Sequence, residues 1–170
     1  MDRRSISNRM ALCLLVAMLM LTPMAAGRAQ ALSHRERQAI QSVLDAQIVA
    51  WNHGDLNGFM VGYWNSPDLV YWSHTTIIRG WQPLLDLFNQ RFKSPNAPQM
   101  GALELATEEF TVLAEDVVLV WGTFRVTTTD GKQRCGLYTL AMRKLRGGWR
   151  TVYDRTSNEP QSGTNSSCSA

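Results

Sequence analysis

Between residues 101 and 157 the hydrophobic period is that of strands. Four runs follow one another across short turns and finish in Gly148-Trp149-Arg150-Thr151-Val152-Tyr153-Asp154-Arg155-Thr156-Ser157. The part before them reads chiefly as helices. A helical front half followed by one late run of antiparallel strands restricts the chain to an α+β fold, a sheet partly wrapped around helices, and such a shape tends to enclose a pocket.

The helical half is punctuated clearly. Ser33 with Glu36 forms a capping-box pattern, and Ile40, Val43, Leu44, Ile48 and Trp51 then recur at helical spacing up to Asn52-His53-Gly54. Asp55 can cap a short second helix carrying Leu56, Phe59, Met60 and Tyr63, which ends at Asn65-Ser66-Pro67-Asp68. Leu69 to Ser73 and Thr75 to Ile78 are rich in strand formers and predict a strand pair. Trp81, Leu84, Leu85, Phe88 and Phe92 describe a third helix with Pro83 in its first turn, and Ser94 to Pro98 predicts a loop. In the strand that follows, Leu103 and Leu105 are apolar at odd positions but Phe110 and Val112 at even ones, which predicts a bulge or bend near Thr107 to Glu109. Val117 to Thr128 carries Gly122 as a second bend, and Asp130-Gly131 turns the chain into Arg134 to Leu145.

Residues 1–31 read as a secretory signal peptide: Arg3, Arg4 and Arg9 precede the apolar run Met10 to Leu21, and Ala29-Gln30-Ala31 offers a small-x-small cleavage site. The run is short of the roughly 20 residues that span a bilayer. The chain is therefore expected to be exported, periplasmic or secreted, with no membrane partner after cleavage. The leader holds four of the 17 Lys+Arg and one of the 14 Asp+Glu, so 13 of each remain in the other 139 residues. No basic cluster is left to suit a nucleic-acid backbone. Residues 32–157 form one domain, and 158–170 (NEPQSGTNSSCSA) lack the apolar content to pack and read as a disordered polar tail.

Cys135 and Cys168 either pair in an oxidising compartment or stay apart, one buried and one exposed. His34, His53 and His74 show no metal-ligand spacing, and no phosphate loop, nucleophile elbow or redox cysteine pair occurs. Neither metal nor cofactor is expected.

The element order, with the phrases AWNHGDLNGFMVGYW, IIRGWQPLLDLFNQRF and GGWRTVYDRTS, resembles the SnoaL-like branch of the nuclear transport factor 2-like superfamily from about Leu32 to Ser157. The resemblance implies a cone, a strongly curved antiparallel sheet wrapped around three helices with a cavity open at one end, often in a homodimer. It also implies a small-molecule ligand and, in the related polyketide cyclases and ketosteroid isomerases, an Asp, His or Tyr that moves a proton next to a carbonyl. Asn52 and Asp55 match the WN-x-x-D element, Tyr63-Trp64 the end of the second helix, and Arg79-Gly80-Trp81 the RGW element. Tyr153 and Arg155 stand where relatives with this ending often carry two histidines, and Arg155 does not deprotonate to act as a base.

Two functional readings stay open. In one, the cavity binds a small, largely apolar molecule without catalysis, through Asn52, Tyr63, Trp81, Tyr138, Tyr153 and Arg155. In the other, the protein is a cofactor-free isomerase, cyclase or dehydratase, with Asp55 or His74 as proton acceptor and Tyr153, Arg155 or Tyr138 steadying an oxyanion. Strand alternation puts Trp149, Thr151, Tyr153, Arg155 and Ser157 on one face of the last strand and Arg150, Val152, Asp154 and Thr156 on the other, and the first set is the candidate cavity face.

Overall fold

The switch of period is realised in the computed structural model, which describes residues 31–93 and 100–158. The leader up to residue 30, the loop at 94–98 and the tail from residue 159 lie outside the described residues, as does Cys168. Cys135 is disulfide-bonded. Helix α1 (His34–Asn52) is followed by α2 (Leu56–Met60), β1 (Val70–Ser73), β2 (Thr76–Arg79) and α3 (Trp81–Lys93). Strands β3 (Ala102–Ala114), β4 (Val117–Thr127), β5 (Gln133–Leu145) and β6 (Gly148–Asn158) complete the chain.

Ser33 caps α1 by accepting from the Glu36 amide at 3.2 Å. The Glu36 carboxylate leaves the capping box unreciprocated and accepts instead from Lys144 Nζ at 2.7 Å and Trp149 Nε1 at 2.5 Å. A charged donor and an indole in a partly buried place hold it better than one backbone amide would, and they tie the start of α1 to the β5–β6 hairpin. Ile40, Leu44, Gln47 and Trp51 are the buried stripe of α1. Asn52 clamps its far end to β3, donating to the Leu103 carbonyl at 3.1 Å and accepting from the Leu103 amide at 2.7 Å.

The six strands form one sheet in the order β2-β1-β6-β5-β4-β3. Neighbours are antiparallel except β1 and β6, which run parallel, so the sheet is mixed rather than wholly antiparallel. The core lies between the helices and this curved sheet, with Leu44, Phe59, Leu84 and Phe88 meeting Val118, Val120, Leu140 and Met142.

Bulges supply the curvature. The β3–β4 register slips between Thr107 and Glu109, where the alternation predicted it, and again between Val112 and Ala114. Gly122 faces the first slip, paired with Thr107, and a Cβ there would lie 2.0 Å from the Ala106 carbonyl oxygen. Only the lack of a side chain lets the strands approach so closely. A third slip, between Ala141 and Met142 on the β5–β6 pair, leaves Val152 without a partner. It overturns the alternation expected for the last strand. Trp149 and Thr151 point inward as expected, but beyond Val152 the inward positions become Asp154 and Thr156.

Candidate functional site

The helices and the sheet enclose a hollow of about 350 Å³. Its inner wall is buried and largely apolar, with Leu44, Trp51, Phe59, Phe88, Leu103 and Leu140 among its residues. Its exposed lining residues are His74 from the β1–β2 turn, Thr76 at the start of β2 and Arg91 near the end of α3, which mark the open end.

Two rows of paired residues cross the sheet under this hollow. Asp154 on β6 stands between Leu140 on β5 and Tyr71 on β1. One step along, Thr156 stands between Tyr138 and Ser73. All six line the hollow. The second row continues from Tyr138 through Gly122 to Thr107. Because Gly122 has no side chain, the Tyr138 hydroxyl reaches across it to Thr107 Oγ1 at 2.7 Å.

Tyr63 arrives from the other side. The chain leaving α2 forms a strand-like bridge with Thr151, whose amide donates to the Gly62 carbonyl at 2.9 Å and whose carbonyl accepts from the Trp64 amide at 2.9 Å. That anchor aims the Tyr63 ring inward, where its hydroxyl donates to Asp154 Oδ2 at 2.6 Å. Gly62 is required beside it, since a Cβ there would meet the Gln47 side chain at 2.2 Å. Gln47 is buried and donates to the Phe59 carbonyl at 3.0 Å.

Asp154 is 3 % exposed, and its second oxygen, Oδ1, is buried with no hydrogen-bond partner among the described residues. Burial pushes its carboxyl up to about 6, partly opposed by the hydrogen bond from Tyr63. Burial first, and the negative charge of Asp154 second, raise both Tyr63 and Tyr71 above the ordinary phenol range. Burial likewise raises Tyr138, against the hydrogen bond with Thr107. The hollow thus holds a desolvated carboxyl near neutrality, with one oxygen held by Tyr63, beside phenols that stay protonated and able to donate.

The residues singled out from the sequence divide. Tyr63, Tyr138 and His74 line the hollow, His74 at its rim with a left-handed φ of 54°. Asp55 does not line it: its carboxylate caps α2, accepting from the Gly58 amide at 2.9 Å. Asn52 is held by the backbone of Leu103, and Trp81 donates its indole N–H to the Met60 carbonyl at 2.9 Å, both outside the wall. Tyr153 and Arg155 are turned to the outer face by the slip at Val152, and the Arg155 guanidinium lies 3.9 Å from the centre of the Trp72 ring. Asp154, Thr156, Tyr71, Arg91 and Arg134 take their place on the wall. Periodicity could not have found Asp154, because the extra residue that turns it inward leaves no mark in the string Thr151-Val152-Tyr153-Asp154. Among the described residues no three His, Cys, Asp or Glu side chains gather as a metal site.

A cone closed by helices over a bulged, curved sheet defines a class, and the comparisons agree with it. Residues 40–159 match the family model described as SnoaL-like domain, and the chain belongs to that family. It is similar to an NTF-2 like protein of unknown function from Shewanella oneidensis, with 26 % identity, a TM-score of 0.66, and coverage of 71 % of this chain and 98 % of that one. A ketosteroid isomerase-like protein from Erwinia carotovora atroseptica shares the fold at 18 % identity and a TM-score of 0.60, covering 75 % of this chain and 100 % of that one. So does a cystatin-like fold protein of unknown function from Nostoc punctiforme, at 12 % identity and a TM-score of 0.61 over 78 % of this chain and 97 % of the other. Among curated proteins, none matches this sequence.

Proposed function

We propose that the protein binds a small, largely apolar carbonyl compound in its hollow and moves a proton on the carbon next to the carbonyl, with Asp154 as the base. The observation that carries this is the state of Asp154: buried, holding Tyr63 through one oxygen, with the other unpartnered in an apolar hollow. Binding alone rarely calls for such a group, which costs folding energy wherever it is ionised. A carboxyl near 6 is a base at neutral pH and still strong enough an acid to return the proton. Tyr71 and Tyr138 offer hydroxyls on the same wall for the developing oxyanion, and Tyr63 positions the carboxylate. The chemistry is that of an isomerase, cyclase or dehydratase without a cofactor.

The test is α-proton exchange. Small cyclic and aryl ketones are incubated with the protein in D₂O and loss of the α-C–H signal is followed by ¹H NMR. Asp154→Asn is expected to slow exchange by about 10²- to 10⁴-fold. Equal rates for the two proteins would leave the hollow as a binding site only.

The exposed Trp121 and Leu137 on the outer sheet face support a homodimer, which sedimentation velocity would report as a mass of two chains rather than one. The leader-like residues 1–31 support export, which fractionation of an expressing cell would contradict by leaving full-length protein inside.

A further inference from the structure

The hollow is electrically two-ended. Among the described residues that line it, Asp154 alone carries a carboxylate, and it lies at the buried end against Tyr63. Arg91 and Arg134 line the same hollow, Arg91 exposed at the opening and Arg134 half-buried. Arg134 is pulled below the ordinary guanidinium range, first by burial, with Tyr71 opposing and the positive charge of Arg91 adding to the fall. The ion pairs of the described residues employ Arg125, Lys132, Arg143 and Lys144, and among these residues neither Arg91 nor Arg134 has an acidic partner. A partly desolvated guanidinium that shares a hollow with a second cation is unfavourable unless an anion joins them. Nothing in the wall supplies that anion: Asp154 Oδ1 has no partner.

We infer that the molecule taken into the hollow carries a carboxylate, held at the rim by Arg91 and Arg134 while its apolar body and carbonyl lie inward toward Asp154. This names the substrate class and rests on the reading of the hollow as a site for a carbonyl compound. Two planar guanidinium forks suit a carboxylate geometrically. The field also sets the direction of entry, since a carboxylate driven inward would meet the charge of Asp154, whereas at the rim it meets two positive charges. Orientation and affinity then come from the same pair of residues.

Hydrocinnamate, methyl hydrocinnamate and phenylpropylamine share one apolar body and differ in charge, and their binding can be read by titration calorimetry at neutral pH. The acid is expected to bind at least about tenfold more tightly than the ester, equivalent to about 1.4 kcal/mol, and the amine more weakly than either. The gap is expected to narrow with added salt, to vanish in the double variant Arg91→Gln, Arg134→Gln, and to persist in Arg134→Lys. An ester or amine that binds as well as the acid overturns the inference, as does an acid preference that survives the double variant or a failure of all three to bind. Circular dichroism of the double variant shows whether it is folded, and if it is not, the single variant Arg91→Gln, at an exposed position, must lose part of the preference. The α-proton exchange assay separates the two claims. Lost acid preference with Asp154-dependent exchange intact refutes only the carboxylate, and kept preference without that exchange refutes only the base.

Discussion

The hydroxyl of Tyr63, just beyond the second helix, donates to the carboxylate of Asp154 on the last strand at 2.6 Å, joining positions 91 residues apart. The bond opposes the upward push of burial on Asp154, and Tyr63→Phe removes that opposition. In the variant the carboxyl becomes protonated at a pH higher than about 6. The acid limb of the pH profile for proton exchange is expected to move upward, with a larger loss of rate at slightly acid than at slightly alkaline pH. A uniform loss across the profile would contradict a positioning role for Tyr63.

Asp154 itself is expected to trade stability for chemistry. Its folded value lies above its unfolded one, so its contribution to stability is complete below the ordinary carboxylate range and is lost as pH rises through about 6. The distance from the ordinary 3.8 corresponds to about 3 kcal/mol at full ionisation. Asp154→Asn is therefore expected to stabilise the protein by about 1–3 kcal/mol above about pH 7 and to change little below about pH 4. Urea denaturation at the two pH values measures this, and a variant less stable at both would contradict it.

Gly122→Ala sets a methyl group against a backbone carbonyl 2.0 Å away, whereas Gly62→Ala meets the side chain of Gln47 at 2.2 Å. A side chain can yield further than a paired strand. The expected cost is about 1–3 kcal/mol for Gly62→Ala and more for Gly122→Ala, which should also loosen the bond between Tyr138 and Thr107. Chemical denaturation ranks the two, and the reverse order would count against the close approach of β3 and β4.

Arg155→Ala and Tyr153→Phe act on the outer face of the sheet. Arg155→Ala is expected to cost about 0.5–1 kcal/mol by losing its stacking on Trp72, and neither change should alter ligand affinity or proton exchange. A marked fall in either activity would place these side chains back in the hollow.

Much of the architecture is legible in the sequence. Ser33 and Asp55 as caps, the stripe from Ile40 to Trp51, and the parity change between Leu105 and Phe110 are local patterns, and they led to the right helices and to the slip at Thr107. The site was harder to read. Tyr63 and Tyr138 can be named because they fall at matched or inward positions, but plain strand alternation puts Asp154 on the wrong face. A single unpaired residue, Val152, inverts the alternation of β6, and the two residues before it, Thr151 and Arg150, carry no apolar signal that a change of phase would disturb. Asp55 and Asn52 drew attention as polar residues beside a glycine, where helix ends need such residues for their own backbone. Arg91 on α3 and Arg134 on β5 lie far apart in sequence, and only the packing of helix on sheet brings them to one hollow.

The proposed chemistry requires one buried carboxyl in the hollow that holds its proton to about pH 6. Carbon-detected NMR of the aspartate side chains across a pH titration measures it directly. One carboxyl is expected to titrate near about 6 and to be missing from Asp154→Asn. A spectrum in which every aspartate has titrated by about pH 4.5 would mean that Asp154 is wet and ordinary, and the proposed base would not exist.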